Sequence, residues 1–252
     1  MDLNFGINGN TSVQAARPIT VNSSTPIGVL GIAASDHGLH QCNNAEQALI
    51  FMADKGGDVA LINGLKGIAL TGVNCPIILN LCADEADVVD ALDEFKRAEG
   101  LTGINLQGGL IIAPVLSATL TVATKMDAVA DVTHSLALPD NFSEDEAGVN
   151  EWVQNFGTKT SLLAHGNYIA DGVDVACSAL YAGTIAYYDA KPFGWAKSHS
   201  NRAVKGVSGS HRPIEYLDGQ DCEARRMRQK GIATIVRDVG WRTYGFETTH
   251  ID

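Results

Sequence analysis

The sequence predicts an α/β protein: a layered α/β core with a mainly parallel sheet flanked by helices, an extended N-terminal arm and a short C-terminal β-hairpin. Three observations carry this. Short apolar runs recur that are continuous rather than alternating, as strands covered on both faces require, at 76–81, 110–113, 136–138 and 161–164. Segments with helical spacing of apolar residues separate them. The 252 residues are 45% hydrophobic but only 6% aromatic, which suffices for one substantial core built mainly from Ala, Val, Ile and Leu.

Along the chain, residues 1–26 are rich in Asn, Thr, Ser and Gly, with Pro18 and Pro26 and no sustained period, and read as an arm that needs something else to order it. Order begins with a strand at 27–32. Residues 45–70 predict a helix in two pieces around Gly56 and Gly57, leading to the strand at 76–81. The run ADEADVVDALDEFKRAEG sets Val88, Leu92 and Phe95 on one face, opens with Asp84 as N-cap and stops at Gly100. A strand at 110–113 closes at Pro114. The next helix aligns Val122, Met126 and Val129 and leads into the strand at 136–138. Another stacks Val149, Trp152, Val153 and Phe156 ahead of the strand at 161–164. A longer helix is expected from Val173 to Tyr188, then a stretch without period at 191–209. Two strands at 232–236 and 241–244 flank Asp238-Val239-Gly240 as a hairpin.

Charge is unevenly placed. Residues 1–150 hold eighteen Asp/Glu against six Lys/Arg, whereas 151–252 hold eleven against twelve, and within 191–242 eleven cations face five anions. An acidic front and a basic rear suit head-to-tail self-association or an acidic partner. The overall net charge of -11 argues against a dedicated nucleic-acid binder, and no direct nucleic-acid binding is expected. No apolar run approaches the ~18 residues of a membrane span, and the N-terminus lacks the basic and apolar regions of a signal peptide. A soluble chain with no membrane insertion is therefore expected. The five cysteines are odd in number, widely spaced and without a CxxC pair, so reduced and mostly buried thiols are expected.

The stretch KPFGWAKSHSNRAVKGVSG (191–209) tests for chemistry. Ser198-His199-Ser200 are too close in sequence for a serine to meet a histidine base oriented by a third group. GVSGS at 206–210 misses the G-x-S-x-G elbow, and Lys205-Gly206 reverses the order a phosphate loop needs. His37 and His40, with Asp36, lack a further ligand, and the acidic run 84–94 reads as a solvated face. No catalytic, metal or cofactor-binding residue is assigned. The alternative is a small-molecule α/β enzyme whose site lies at the strand C-terminal ends, near Asp140 and His165. A third reading is a basic face that meets nucleic acid through Lys197, Arg202 and Lys205.

The order of segments resembles the contractile tail sheath proteins of bacteriophages and of related injection devices such as R-type bacteriocins. Arg17-Pro18-Ile19, followed by Ser23 to Gly31, resembles the family's passage from arm to first strand. Thr102-Gly103 with Leu110 to Pro114, and Pro139-Asp140 with Asn155-Phe156-Gly157, are similar to two later family segments. Ala182-Gly183 to Asp189, Gly194-Trp195, Ser198, Ser200-Asn201 and Gly206 resemble its most specific signature. Gly231-Ile232, Thr234 to Val236 and Gly240 to Gly245 are similar to its last passage.

The resemblance implies a structural subunit rather than an enzyme, without cofactors. It would self-assemble into hexameric rings and a helical sheath around a tail tube, between baseplate and tail terminator proteins. Contraction would then drive the tube through a bacterial envelope. It implies residence in the virion tail after assembly in the host cytoplasm. The family's arms add strands to neighbouring subunits, which suits a polar terminal segment such as Arg17, Pro18 and Ile19. Lys191, Lys197, Arg202, Lys205 and Arg212 become candidate subunit or tube contacts, with Trp195 and Asn201 fixing the loop. The expected division is an arm at 1–26, a sheath core at 27–211 and, at 212–252, the truncated start of a C-terminal domain. Glu247 departs from the pattern, because the family carries a cation there.

Overall fold

The computed structural model of the chain describes residues 25–248, so the arm segment Arg17-Pro18-Ile19 lies outside the described residues. From Thr25 the elements run β1 (Ile27–Ile32), β2 (Gly38–Cys42), α1 (Ala45–Ala53), α2 (Val59–Leu70) and β3 (Ile77–Cys82). Next come α3 (Val88–Ala91), a 3-10 turn at Leu92–Arg97, α4 (Ala98–Thr102), β4 (Leu110–Ile112) and α5 (Leu120–Thr133). Then follow β5 (Leu136–Ala137), β6 (Asp140–Asn141), α6 (Glu146–Val153), β7 (Leu163–His165), β8 (Asn167–Ala170), β9 (Val173–Ala176) and α7 (Cys177–Asp189). The chain closes with β10 (Val207–Ser210), α8 (Glu223–Arg228), β11 (Ile232–Asp238) and β12 (Gly240–Tyr244).

Strand pairing gives the orders β2-β3-β1-β4-β5 and β12-β11-β7-β6, and the thread 136–141 joins the two. On one side Leu136 N and Leu138 N donate to Gly109 O and Ile111 O. On the other, Leu162 N and Ala164 N donate to Ala137 O and Pro139 O. The middle pairings are parallel, and both outer ones, β2 with β3 and β12 with β11, are antiparallel. Ile27, Val29, Ile77 and Leu79 enter one core with α2 and α7, and Leu30, Ile78 and Ile111 enter another with Phe95 and α5. This is why their sequences read as continuous apolar runs. The expected fold class and the closing hairpin β11–β12 are therefore present.

Three expectations differ in detail. The predicted helix 173–188 starts only at Cys177, because Val173–Ala176 is the second strand of a hairpin with β8. Asp171 and Gly172 form its turn, both at positive φ, the backbone that a two-residue hairpin demands. With β10 these strands make a separate antiparallel sheet, so part of the 191–209 stretch is a strand. The predicted helix over 84–100 is broken: Asp84 bonds Ala86 N and Asp87 N in a turn of its own, and helix begins at Val88. The following 3-10 turn eclipses Leu92 and Phe95, three apart, and both are buried. Helical structure then ends at Thr102 rather than Gly100, on Gly103 at φ 76.

Candidate functional site

The helix α7 organises the residues singled out by sequence. At its N-terminus Asp140 is buried and serves as a cap supplied by another element. One carboxylate oxygen accepts from Ser178 N at 3.0 Å, and the other from Ser178 Oγ at 2.8 Å and Val115 N at 3.1 Å. Ser117 Oγ lies 3.3 Å from that second oxygen and accepts from Asp140 N. Burial pushes the Asp140 carboxyl up to about 6, against these bonds, which favour the anion. Its position at the start of a thirteen-residue helix supports the charge further.

His165, one strand over, is also buried, but Asp140 pairs in register with Ala164 and His165 with Asn141. Asp140 and His165 therefore point to opposite faces of the sheet, and they share no site. Arg212 Nη1 lies 3.0 Å from His165 Nε2 and can only donate, so Nδ1 carries the proton and gives it to Asn141 Oδ1 at 2.9 Å. Burial, then the Arg212 charge, lowers His165 to about 3, so the ring is neutral. Arg212 also donates to Glu144 O and pairs with Glu223. A cleft of about 460 Å³ opens beside His165, Asn167 and Arg212 at the strand ends. The buried acid of the pair that the enzyme reading requires lies across the sheet from it.

At the other end of α7 the stretch 191–209 folds back over the helix. Lys191 Nζ and Lys205 Nζ stand 4.3 and 4.1 Å from the Tyr187 ring centre, and the Arg202 guanidinium stands 4.9 Å from that of Tyr188. Lys205 also donates to Thr71 O at 2.9 Å. The hydrogen bond from Lys191 and the charge of Lys205 hold the Tyr187 hydroxyl below its usual range. Lys197 is exposed, as is Phe193, whose backbone sits at φ 58. Asn201, at φ 60, donates its N–H to Thr243 O at 2.6 Å and accepts from Arg242, which fixes the loop as expected. The Trp195 side chain lies outside what is described.

His199 and its neighbouring serines hold this end together. His199 is buried, its Nε2 lies 3.0 Å from Asp189 Oδ1, and its ring meets Phe246 edge-on. Burial pushes the Asp189 carboxyl up, but bonds to His199 and to Thr25 Oγ1, at 2.5 Å, outweigh it and hold the group low. Ser198 Oγ accepts from Ser200 N, and Ser200 Oγ from Gly245 N. These hydroxyls serve backbone, and neither is hydrogen-bonded to the His199 ring among the described residues. Glu247, where the resembling family carries a cation, accepts from Arg228 Nε and Nη2 at 2.8 and 2.6 Å.

No family model matches the chain. It is 38% identical over 162 residues, 61% of its length, to the "Putative prophage major tail sheath protein" of Pseudomonas aeruginosa (strain UCBPP-PA14), of which it covers 42%. The chain thus spans less than half the length of that curated relative. Among solved structures, it superposes with a TM-score of 0.65 on a chain of the anti-feeding prophage baseplate. That match is 15% identical and covers 92% of this chain and 64% of that one. With a chain of the anti-feeding prophage helical sheath in its contracted state the TM-score is 0.59. There the identity is 15%, and the coverage 91% and 63%. These two likenesses concern the fold, and the sequence likeness is to a prophage tail sheath protein over 61% of this chain.

Proposed function

We propose that the chain is a structural subunit of a contractile tail sheath, which stacks in rings around a tail tube and contracts to drive it through a bacterial envelope. The 38% identity to a prophage tail sheath protein carries this reading. The disposition of the polar groups supports it: Asp140, His165 and Ser200 tie elements together, and Ser198 accepts a bond within its own loop. Such a subunit needs no turnover, because work can be stored in a metastable assembly and released through a bistable interface. On this reading the particle is a phage or phage-like tail, with tube, baseplate and terminator proteins as neighbours. Residues 1–26 are then the arm that reaches adjacent copies, and 27–211 is the core, whose sheet β11 and β12 extend. Immunogold electron microscopy of tail particles purified from the producing bacterium tests it. Label along the particle shaft is expected; intact contractile tails without label would overturn the reading.

A further inference from the structure

Of the eleven cations at 191–242, four are ion-paired within the chain: Arg212, Arg226, Arg228 and Lys230. Lys191, Lys197, Arg202 and Lys205 have no carboxylate partner among the described residues, and Arg225, Arg237 and Arg242 join them in this. Lys191, Arg202 and Lys205 surround the Tyr187 and Tyr188 rings, with exposed Phe193 beside them in sequence. Half-buried Tyr187, Tyr188 and Arg202 beside exposed Phe193, Lys191 and Lys205 at a helix end have the make-up of an interaction surface. This patch lies at the N-terminal edge of the parallel strands, because Asp189 bonds Thr25, just ahead of β1, and Lys205 bonds Thr71, ahead of β3. At the opposite edge, past the last residue of β3, Asp84, Glu85, Asp87 and Asp90 are exposed, and none is ion-paired to a cation among the described residues. Six-residue strands separate the two ends by on the order of 20 Å.

We propose that the two ends meet between copies: the Tyr187–Lys205 patch of one chain docks on the Asp84–Asp90 ridge of a second copy. The charges are complementary, and because the two faces differ, each contact leaves one of each kind free. Such a contact continues into a ring or a filament rather than closing as a symmetric pair. The inference rests on the sheath reading only in that copies of this chain are held to meet one another, and it names the faces that do so.

Sedimentation of the full chain tests it, with Lys191→Glu/Lys205→Glu against Glu85→Lys/Asp90→Lys, and Phe193→Ala as an uncharged variant. Self-association that weakens between about 50 mM and 0.5 M salt is expected, since screening at the higher strength reaches within a few ångströms. Each charge reversal should weaken it about tenfold or more, Phe193→Ala should weaken it without changing the salt slope, and mixing the two reversed variants should restore a mixed species. Thermal melts identical to the parent exclude misfolding as the cause. A chain that stays monomeric at low salt, reversals without effect, or a mixture that does not re-associate would each overturn the contact. Labelled tails with unaffected association would refute this contact and leave the sheath reading standing; the converse result would do the opposite.

Discussion

Asp140 and His165 behave oppositely toward acid, and the pair makes a sharp residue-scale prediction. Asp140 is raised from an ordinary 3.8 to about 6, so its contribution to stability is fully present below pH 4 and is lost as pH rises through 6. His165 is lowered from 6.5 to about 3, so its contribution is present above pH 6.5 and is lost as pH falls. Between pH 4 and 6 the two partly cancel. Asp140→Asn removes one arm of the balance, and its melting temperature should fall more steeply on acidification than the parent's; parallel curves would contradict these assignments. Asp140→Ala at neutral pH leaves Ser178 N and Val115 N without their buried acceptor and should cost roughly 3 kcal/mol in a denaturant titration. Sequence alone marked both residues as lying near strand ends. It could not show that neighbouring residues on paired strands face opposite sides, because register is a property of the pairing.

At the scale of elements, helix α2 lies on α7 and β9 through small residues. A Cβ on Gly67 would come within 2.4 Å of Val175 Cγ1, and one on Gly183 within 3.0 Å of Ile68 Cα. Gly67→Ala gains about 1 kcal/mol of helix preference but overpacks by roughly 1–3 kcal/mol. A net loss of stability is expected in thermal unfolding, and a gain would show that Val175 yields. Most elements were legible. The helices at 45–70 and the strands at 27–32 and 232–236 carry their periodicity or apolar run on one short segment. The β8–β9 hairpin was also legible through NYIA-DG-VDVA, whose Asp-Gly turn and alternating Val173 and Val175 are a hairpin signal, but the helical spacing from Val173 to Tyr188 masked it. The short edge strand β2, with Gly38 and polar His40 and Gln41, has no apolar run to announce it. Its pairing with β3 is a tertiary event.

Over the whole molecule, the five cysteines report on cooperativity. All are buried as free thiols, and burial pushes Cys75 up to about 12 and Cys82 to about 11. Thiol labelling at neutral pH should therefore be negligible in the folded protein and should follow its global unfolding. Fast labelling of any one thiol in native buffer would reveal a local opening. The charge pattern, too, acts at this scale. Eleven cations in 191–242 read in sequence as one basic segment, yet folding separates those paired internally with Glu146, Glu223 and Glu247 from those left beside Tyr187 and Tyr188.

By itself, the sequence determined the layered α/β class, the order of most strands and helices, and the resemblance to tail sheath proteins, since apolar runs, periodicity and motif order are written along the chain. Only the tertiary structure decided which side chains meet. It set Asp140 and His165 apart, folded His199 onto Asp189 across the end of α7, and sent the free cations and the acidic ridge to opposite edges of one sheet. The physical reason is that contact depends on strand register and on helix direction, and both are fixed by burial of faces contributed by segments far apart in the chain.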